Sequence, residues 1–449
     1  MGDFIIDFSN WIWDMPMLVL LMGGGLILFI YSGFLPFRYF GHALKVVRGK
    51  YDNQNMPGQI SSQQALSAAI AATVGLGNIS GVAIAINMGG PGAIFWMWMS
   101  AFVGMATKYF TCSLAIMFRG KDTSGEIQGG PMYVIEHGMG PKWKPLAILF
   151  SVAGVLGLLS IFQANQLTEV TRTVMLEPYG LDNGESTKWI LGILMMVAVA
   201  AVILGGIQRI AAVASKLVPF MVILYFGTVL LIMFQYIERV PEMFLLIIED
   251  AFTGNAVMGG AVGAVMVIGA RRAAFSNEAG IGTAPMVHGA SKNNEPVREG
   301  LIAMLGPFID TVVVCTLTAF VILLTGVWET SENNGVQLTL QAFEMGLPGV
   351  GKYLLMLAVL VFALSTMFTY SYYGHKCFNY LFGAEKANYY NYFYLVTIVA
   401  GAVVSLEVVV SFIDGMYAIM AIPTMISTIY LAPKVKAATK DYFARMKGE

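Results

Sequence analysis

The stretch AATVGLGNISGV, residues 71–82, lies in an apolar run long enough to cross a membrane, yet it sets Gly75 and Gly77 two residues apart beside the polar Asn78. A glycine in a helix interior costs about 1 kcal/mol relative to alanine. Close packing explains one of the two. Thr73, Gly77, Gly81 and Ala85 recur every four residues, a ridge of small side chains on which a second helix can settle. Gly75 points to nearly the opposite side of such a helix and is left out. The same Gly-x-Gly spacing returns in FSNEAGIGTAP, residues 275–285, at Gly280 and Gly282, followed by Pro285. Interrupted apolar segments at matching places in two halves of a chain point to broken helices at a transport site. Both stretches are read here as such breaks.

Composition sets the class. Of 449 residues, 57% are hydrophobic and 12% charged, with a mean hydropathy of +0.70. A soluble fold would lack polar surface, so the chain reads as an all-α integral membrane protein whose main partner is the lipid bilayer. The net charge of −1 gives no reason to expect a nucleic-acid partner. There is no GxxxxGK[ST] loop and no HExxH pattern, so neither a nucleotide-driven pump nor a zinc hydrolase is expected, and no organic cofactor. Cys112, Cys315 and Cys377 have no ligand spacing, and the four histidines, His42, His137, His288 and His375, have none either. An enzyme is not expected. The opening MGDFIIDFSNWIWDMPM has aspartates and no basic residue, unlike a signal peptide, and should stay on the mature chain.

At roughly 20 residues per membrane crossing, the chain divides into eleven expected spans. They fall near 17–36, 62–90, 91–119, 145–175, 189–207, 211–237, 256–289, 299–327, 351–381, 390–411 and 412–433. With the N-terminus outside, 19 of the 26 Lys and Arg residues fall in inner loops and the tail, among them Lys50 and Lys447, and only Arg172, Lys188, Arg239 and Lys352 fall outside. Basic residues collect on the cytoplasmic side. That bias supports the orientation and the odd number of spans, with the C-terminus cytoplasmic. The tyrosine-rich NYYNYFY, 388–394, then lies at the inner interface. The expected organisation is an outward N-terminus, one extra helix and an inner loop over 1–61, a first repeat over 62–237, a second over 256–433, and a basic inner tail over 434–449. Each repeat has five spans and the second starts on the opposite face, as an inverted repeat requires.

Depth supports the second break. Arg271 and Arg272 precede Gly280 by eight or nine residues, about 14 Å of helix, which puts the glycines near the midplane if the arginines mark the outer boundary. An ionisable group there, Glu278, is functional or structurally paired, with Lys108 of the third span a candidate partner; Asp310 poses the same question in the eighth. Breaking a helix in lipid frees backbone groups that must find partners. Around Gly77, Asn78 and Ile79, amides at the start of a half-helix suit a carboxylate. The carbonyls of Ala71–Val74 suit a small hard cation, and those of Ala273, Ala274, Phe275 and Ser276 could accept from an ammonium. Amides for an anion and carbonyls for a cation fit a zwitterion, and an amino acid is the obvious candidate.

VGLGN resembles the unwound first core helix of neurotransmitter:sodium symporters. The longer strings GLGNISGVAIAINMGGPGAIFWMW, AFSNEAGIGTAP and FIDTVVVCTLTA resemble the alanine or glycine:cation symporter family over about residues 60–430. The resemblance implies a five-plus-five inverted-repeat core with two discontinuous helices. It also implies uptake of alanine or glycine with sodium, or less often protons. It further places a sodium between the carbonyls of Ala71 and Val74 and the hydroxyls of Ser365 and Thr366 in FALSTMF, whereas serine and threonine in membrane helices commonly bond their own backbone. Asn78 matches a position that binds a second sodium in some relatives. For the substrate, Gln163 in LLSIFQANQLTE is the chosen polar contact, ahead of Asn165 and Gln166, with Phe275 and Met367 closing around a small side chain. The reading is a secondary active transporter working by alternating access in the cell membrane. Its alternatives are proton-coupled symport and a cation channel, since broken helices also line pores.

Overall fold

The computed structural model describes residues 2–49, 51, 56–253 and 262–446. Lys50, Lys447 and the start of the seventh expected span, 256–261, lie outside the described residues. The chain is helical almost throughout. The one departure among the described residues with a strand ladder is a hairpin that pairs Gly120–Lys121 with Ile127–Gln128. Asp122 nucleates it by accepting from the amides of Ser124 and Glu126.

Among the described residues, six helices are long and apolar enough to cross a membrane: Pro141–Tyr179, Glu185–Ile203, Gly206–Gln235, Pro296–Thr325, Gly351–Phe382 and Leu406–Arg445. Two bent pairs, Gly2–Ile12 with Met15–Tyr31 and Ser62–Thr73 with Gly77–Gly89, turn by 48° each and raise the number to eight if each is one span. The remaining expected spans coincide with Gly92–Met117, with Val262–Asn277 followed by Ala284–His288, and with Asn388–Val403. The burial pattern inverts that of a soluble protein. Ile190, Leu194, Val197, Ile223, Leu231 and Phe234 face outward on Glu185–Ile203 and Gly206–Gln235, whereas Asn78, Glu278 and Asp310 are buried.

The two interrupted helices stand at the centre. Ser61 caps the first, taking the Gln64 amide while the Gln64 side chain takes the Ser61 amide, which fixes where that helix starts. The helix runs to Thr73, Val74 leaves helical geometry (ψ 88°), and a second half resumes at Gly77 in a wide π turn. The first half packs against Gly206–Gln235 and Gly351–Phe382, and the second half against Val262–Asn277 and Gly92–Met117. In the second pair, Val262–Asn277 ends at Glu278, whose left-handed φ of 56° is one of two such values outside glycine among the described residues, and Gly280 and Gly282 follow at φ 87° and 105°. An L-residue in that conformation costs roughly 1–2 kcal/mol.

Three expectations need correction. The boundary between the last two spans falls at Val404–Ser405, not at 411–412, with Ser405 in extended geometry before the helix Leu406–Arg445. The apolar run on both sides hid a serine followed by an acid, a helix-start signal. The basic tail 434–449 is not a separate segment as far as Arg445, because the last helix runs through it. Lys434 lies over the Phe118 ring and Lys436 over Tyr31, 4.8 and 4.0 Å from the centroids. Third, Pro141–Tyr179 is itself interrupted at Leu158–Ser160, between Lys144–Gly157 and Ile161–Thr171. No Gly-x-Gly marks that spot. The Ser160 hydroxyl meets that of Tyr394, which donates to the Met367 carbonyl at 2.6 Å.

A methyl group on Gly282 would lie 2.5 Å from Thr424 Oγ1, on a residue already at positive φ, whereas one on Gly227 in Gly206–Gln235 meets nothing within 4 Å. Gly282→Ala is therefore expected to lower the unfolding temperature of the detergent-purified protein by several degrees, and Gly227→Ala to hold or raise it. Scanning fluorimetry on the two variants checks this; matching temperatures would contradict the geometry of the second break.

Candidate functional site

The break in AATVGLGNISGV gives its two glycines different tasks, and neither has a positive φ. A Cβ on Gly75 would lie 2.5 Å from Thr366 Oγ1, and one on Gly77 would lie 3.1 Å from the Ser276 Cα. Gly75 thus lets the first break meet the helix Gly351–Phe382, and Gly77 lets it meet the second interrupted helix. Both are glycine for close approach.

Asn78 closes the break. Its Oδ1 accepts from the Gly75 amide at 2.8 Å, while its Nδ2 donates to the Asp310 carboxylate at 2.8 Å and to the Asp310 carbonyl at 3.0 Å. Asp310, fully buried in a π-helical stretch Phe308–Cys315, also accepts from Ser276 at 2.8 Å and from Thr311 at 2.7 Å. Thr311 in turn accepts from Asn277 at 2.9 Å. One carboxylate therefore joins the first break, the last turn before the second and a third helix. With its side chain used this way, Asn78 faces the first break as a brace. The Gly77 amide, first of the second half-helix, has no acceptor outside that helix among the described residues, and the Asn78 amide donates to the Gly75 carbonyl at 3.1 Å.

On the other side of the first break, the Ala71 carbonyl takes no amide. It accepts from the hydroxyls of Ser365 at 3.3 Å and Thr366 at 3.1 Å. Both hydroxyls also reach the Phe362 carbonyl one turn back, at 3.0 and 3.1 Å. A hydroxyl has one proton and two lone pairs, so donating to Phe362 leaves lone pairs directed at the break. The structure brings Ala71, Ser365 and Thr366 together. The Val74 carbonyl stands at the edge of this group without a partner among the described residues.

At the second break one expectation is corrected. Ala273, Ala274, Phe275 and Ser276 lie inside the last helical turn, and the Ala274 carbonyl is taken by the Glu278 amide at 3.0 Å. The helix persists to Asn277, whose Oδ1 accepts from the Ala279 amide at 2.9 Å and holds the reversal. Glu278 is fully caged: Thr283 and Tyr370 donate to its carboxylate, and Tyr417 donates at 3.4 Å. Lys108 acts on it only through space; hydroxyls, which no sequence signal marked, supply the bonds.

Phe275 meets Phe162 edge-on, with ring centroids 5.0 Å apart, and Tyr417 at 6.0 Å. Next to Phe162 stands Gln163, 4% exposed, whose Oε1 has no hydrogen-bond partner. The neighbouring amides are accounted for: Asn165 donates to the Val404 carbonyl at 2.6 Å and Gln166 accepts from the Val336 amide at 2.9 Å. Met367 is buried beside Thr366. Among the described residues no group of three or more His, Cys, Asp or Glu could hold a metal, and the three cysteines are free and buried.

The family model described as the sodium:alanine symporter family matches residues 1–449. Among curated proteins, the chain is 41% identical over 448 residues to an uncharacterized transporter of Haemophilus influenzae, covering 98% of this chain and 95% of that one. It is 38% identical to the sodium/alanine symporter AgcS of Methanococcus maripaludis, covering 98% and 97%. It is 33% identical to a probable sodium/glutamine symporter, GlnT, of Bacillus subtilis, covering 99% and 91%. A multi-pass helical chain with a polar centre and full-length relatives of this kind is a transporter and not an enzyme, and it belongs to the sodium:alanine symporter family.

Proposed function

We propose that this protein imports small neutral amino acids, alanine and glycine, together with sodium, by alternating access in the cell membrane. Eleven spans would cross the bilayer, an extra helix followed by five-plus-five inverted repeats, with the N-terminus outside and the C-terminus in the cytoplasm. The observation that carries the reading is the polar main chain that the first break sets free of the helix. The Ala71 carbonyl takes two hydroxyls in place of an amide and the Gly77 amide opens the second half-helix; elsewhere in the core one buried amide oxygen, Gln163 Oε1, has no partner among the described residues.

Each has a role in this proposal. Sodium sits among Ala71, Val74, Ser365 and Thr366, replacing the hydrogen bonds those hydroxyls now give to Ala71. The substrate carboxylate lies on the Gly77 amide, at the positive end of the second half-helix; of its neighbours in the break, the Gly75 amide is given to Asn78 Oδ1 and the Asn78 amide to the Gly75 carbonyl. The substrate ammonium meets Gln163 Oε1 and the carbonyls of Phe275 and Ser276, since those of Ala273 and Ala274 are taken within the helical turn. Phe275 and Met367, beside Thr366, limit the side chain to a small one. The name of AgcS, sodium/alanine symporter, supports alanine. The name of GlnT speaks for a family that also handles larger neutral amino acids. Sodium is preferred to protons as the coupling ion because Ser365, Thr366 and the freed carbonyl are neutral oxygen donors, which suit a hard cation and hold no proton to exchange.

In liposomes, the purified protein is expected to accumulate labelled alanine only when a sodium gradient points inward. Accumulation driven equally by a proton gradient without sodium would replace sodium in this account. Thr366→Ala should raise the sodium concentration for half-maximal uptake about tenfold or more, with expression unchanged; an unaltered sodium dependence rejects the ion site as placed. Gln163→Leu removes an oxygen that bonds nothing in the fold, so thermal stability should hold or rise while half-maximal alanine rises about tenfold. Normal alanine affinity in that variant would exclude Gln163 from the substrate site.

A further inference from the structure

A second polar cavity, of about 300 Å³, opens below the first site on the face that bears the 120–128 hairpin. It is cytoplasmic in the orientation proposed above. Its wall is a stripe of the helix Gly351–Phe382, on which Ser371, Tyr372, Lys376 and Asn379 follow one another at helical spacing. Tyr372 stands six residues beyond Thr366, about 9 Å along the helix, so the cavity reaches to within two turns of the residues assigned to sodium.

Three features of this stripe are unexplained by the fold. The Tyr372 hydroxyl is buried and has no partner. Asn379 donates from Nδ2 to the Asp122 carboxylate at 3.0 Å, which fixes the orientation of its amide and leaves Oδ1 buried without a partner. Lys376, 3% exposed, gives hydrogen bonds to the carbonyls of Met286 at 2.8 Å and Gly129 at 3.5 Å, lies 5.0 Å from the centroid of the Tyr372 ring, and forms no ion pair among the described residues. Carbonyls and a ring face supply partial charge to an ammonium but no full countercharge. Buried cations without a countercharge and buried hydroxyls without a partner are costly, and both on one wall call for a ligand.

The donors and the acceptor fit different ends of one molecule. Lys376 and the Tyr372 hydroxyl suit a carboxylate; Asn379 Oδ1, one turn further along the helix, suits an ammonium. Asp122 adds negative potential on that side. Burial pushes its carboxyl up, but hydrogen bonds from Ser124, Asn379, Gln128 and Glu126 outweigh this and hold it below the usual range, so it is ionised at neutral pH. A simple anion would leave the Asn379 oxygen unsatisfied.

We propose that this cavity is a second binding site for a zwitterionic α-amino acid, held by Lys376, Tyr372 and Asn379. It rests on the proposed function for the identity of its ligand. A transported molecule pauses there after leaving the first site, and a high concentration of alanine on that face refills it and slows release.

The test is equilibrium binding of labelled alanine to the purified full-length protein in saturating sodium, from micromolar to high millimolar concentrations. The wild type should bind two molecules per chain in two phases. Tyr372→Phe removes a hydroxyl that bonds nothing in the fold, so unfolding temperature and the tight phase should be unchanged while the weak phase shifts about tenfold. Asn379→Leu should abolish the weak phase. Propionate, lacking the ammonium, and alaninamide, lacking the carboxylate, should each compete poorly for it. A single site in the wild type, or a weak phase indifferent to both substitutions, overturns the second site and leaves the proposed function standing. No saturable alanine binding at all would remove both. Displacement of the weak phase by propionate as effective as by alanine would show an anion site and overturn the zwitterion assignment.

Discussion

A chain interrupted inside a membrane must find partners for the backbone it frees, and here the Asp310 carboxylate makes that possible. Asn78 reaches back to the Gly75 amide and forward to Asp310, and Asp310 takes Ser276 and Thr311 as well. A carboxylate buried without such donors would cost several kcal/mol. With them, it fastens both interrupted helices to the helix Pro296–Thr325 at one point. The interruption can then persist, with the Ala71 carbonyl taking the hydroxyls of Ser365 and Thr366 in place of an amide.

The same joint bears on coupling. Ser276 stands within contact distance of Gly77, and Gly75 within contact distance of Thr366, so the faces that would hold the substrate and the ion share one short segment of main chain. A ligand that draws on the Ala71 carbonyl competes with Thr366 for it; a ligand on the Gly77 amide lies next to Ser276 and, through it, Asp310. Two ligands that each favour one arrangement of a shared element bind cooperatively, and the cooperativity is reciprocal. Glu278, caged by Thr283, Tyr370 and Tyr417, sets the far end of the second interruption and offsets the strain of its left-handed backbone.

Much of this could be read from the residues. Gly75 was legible because packing at every fourth residue could not explain it, and Gly280 and Gly282 because they repeated the pattern. Ser365 and Thr366 came from resemblance, and the structure sets both hydroxyls against the Ala71 carbonyl. What could not be read lies in contacts far apart in sequence. Asp310 was noticed as an acid in a span, but its partnership with Asn78 bridges 232 positions, and nothing local announces it. Tyr370 and Tyr417 looked like two of many aromatic residues. The interruption at Leu158–Ser160 has no glycine pair, being held by Tyr394 from another helix. The freed carbonyls of the second interrupted helix begin at Phe275 and not at Ala273, because a side chain, Asn277, and not glycine, decides where the helix ends.

The central claim is that main chain freed at the first interruption holds the amino acid and the ion. A structure determined with alanine and sodium present tests it most directly. The account predicts the carboxylate of alanine on the Gly77 amide, its ammonium toward Gln163, and sodium between the Ala71 carbonyl and the hydroxyls of Ser365 and Thr366. Alanine and sodium bound elsewhere, with the Ser365 and Thr366 hydroxyls still donating to Ala71, would contradict it.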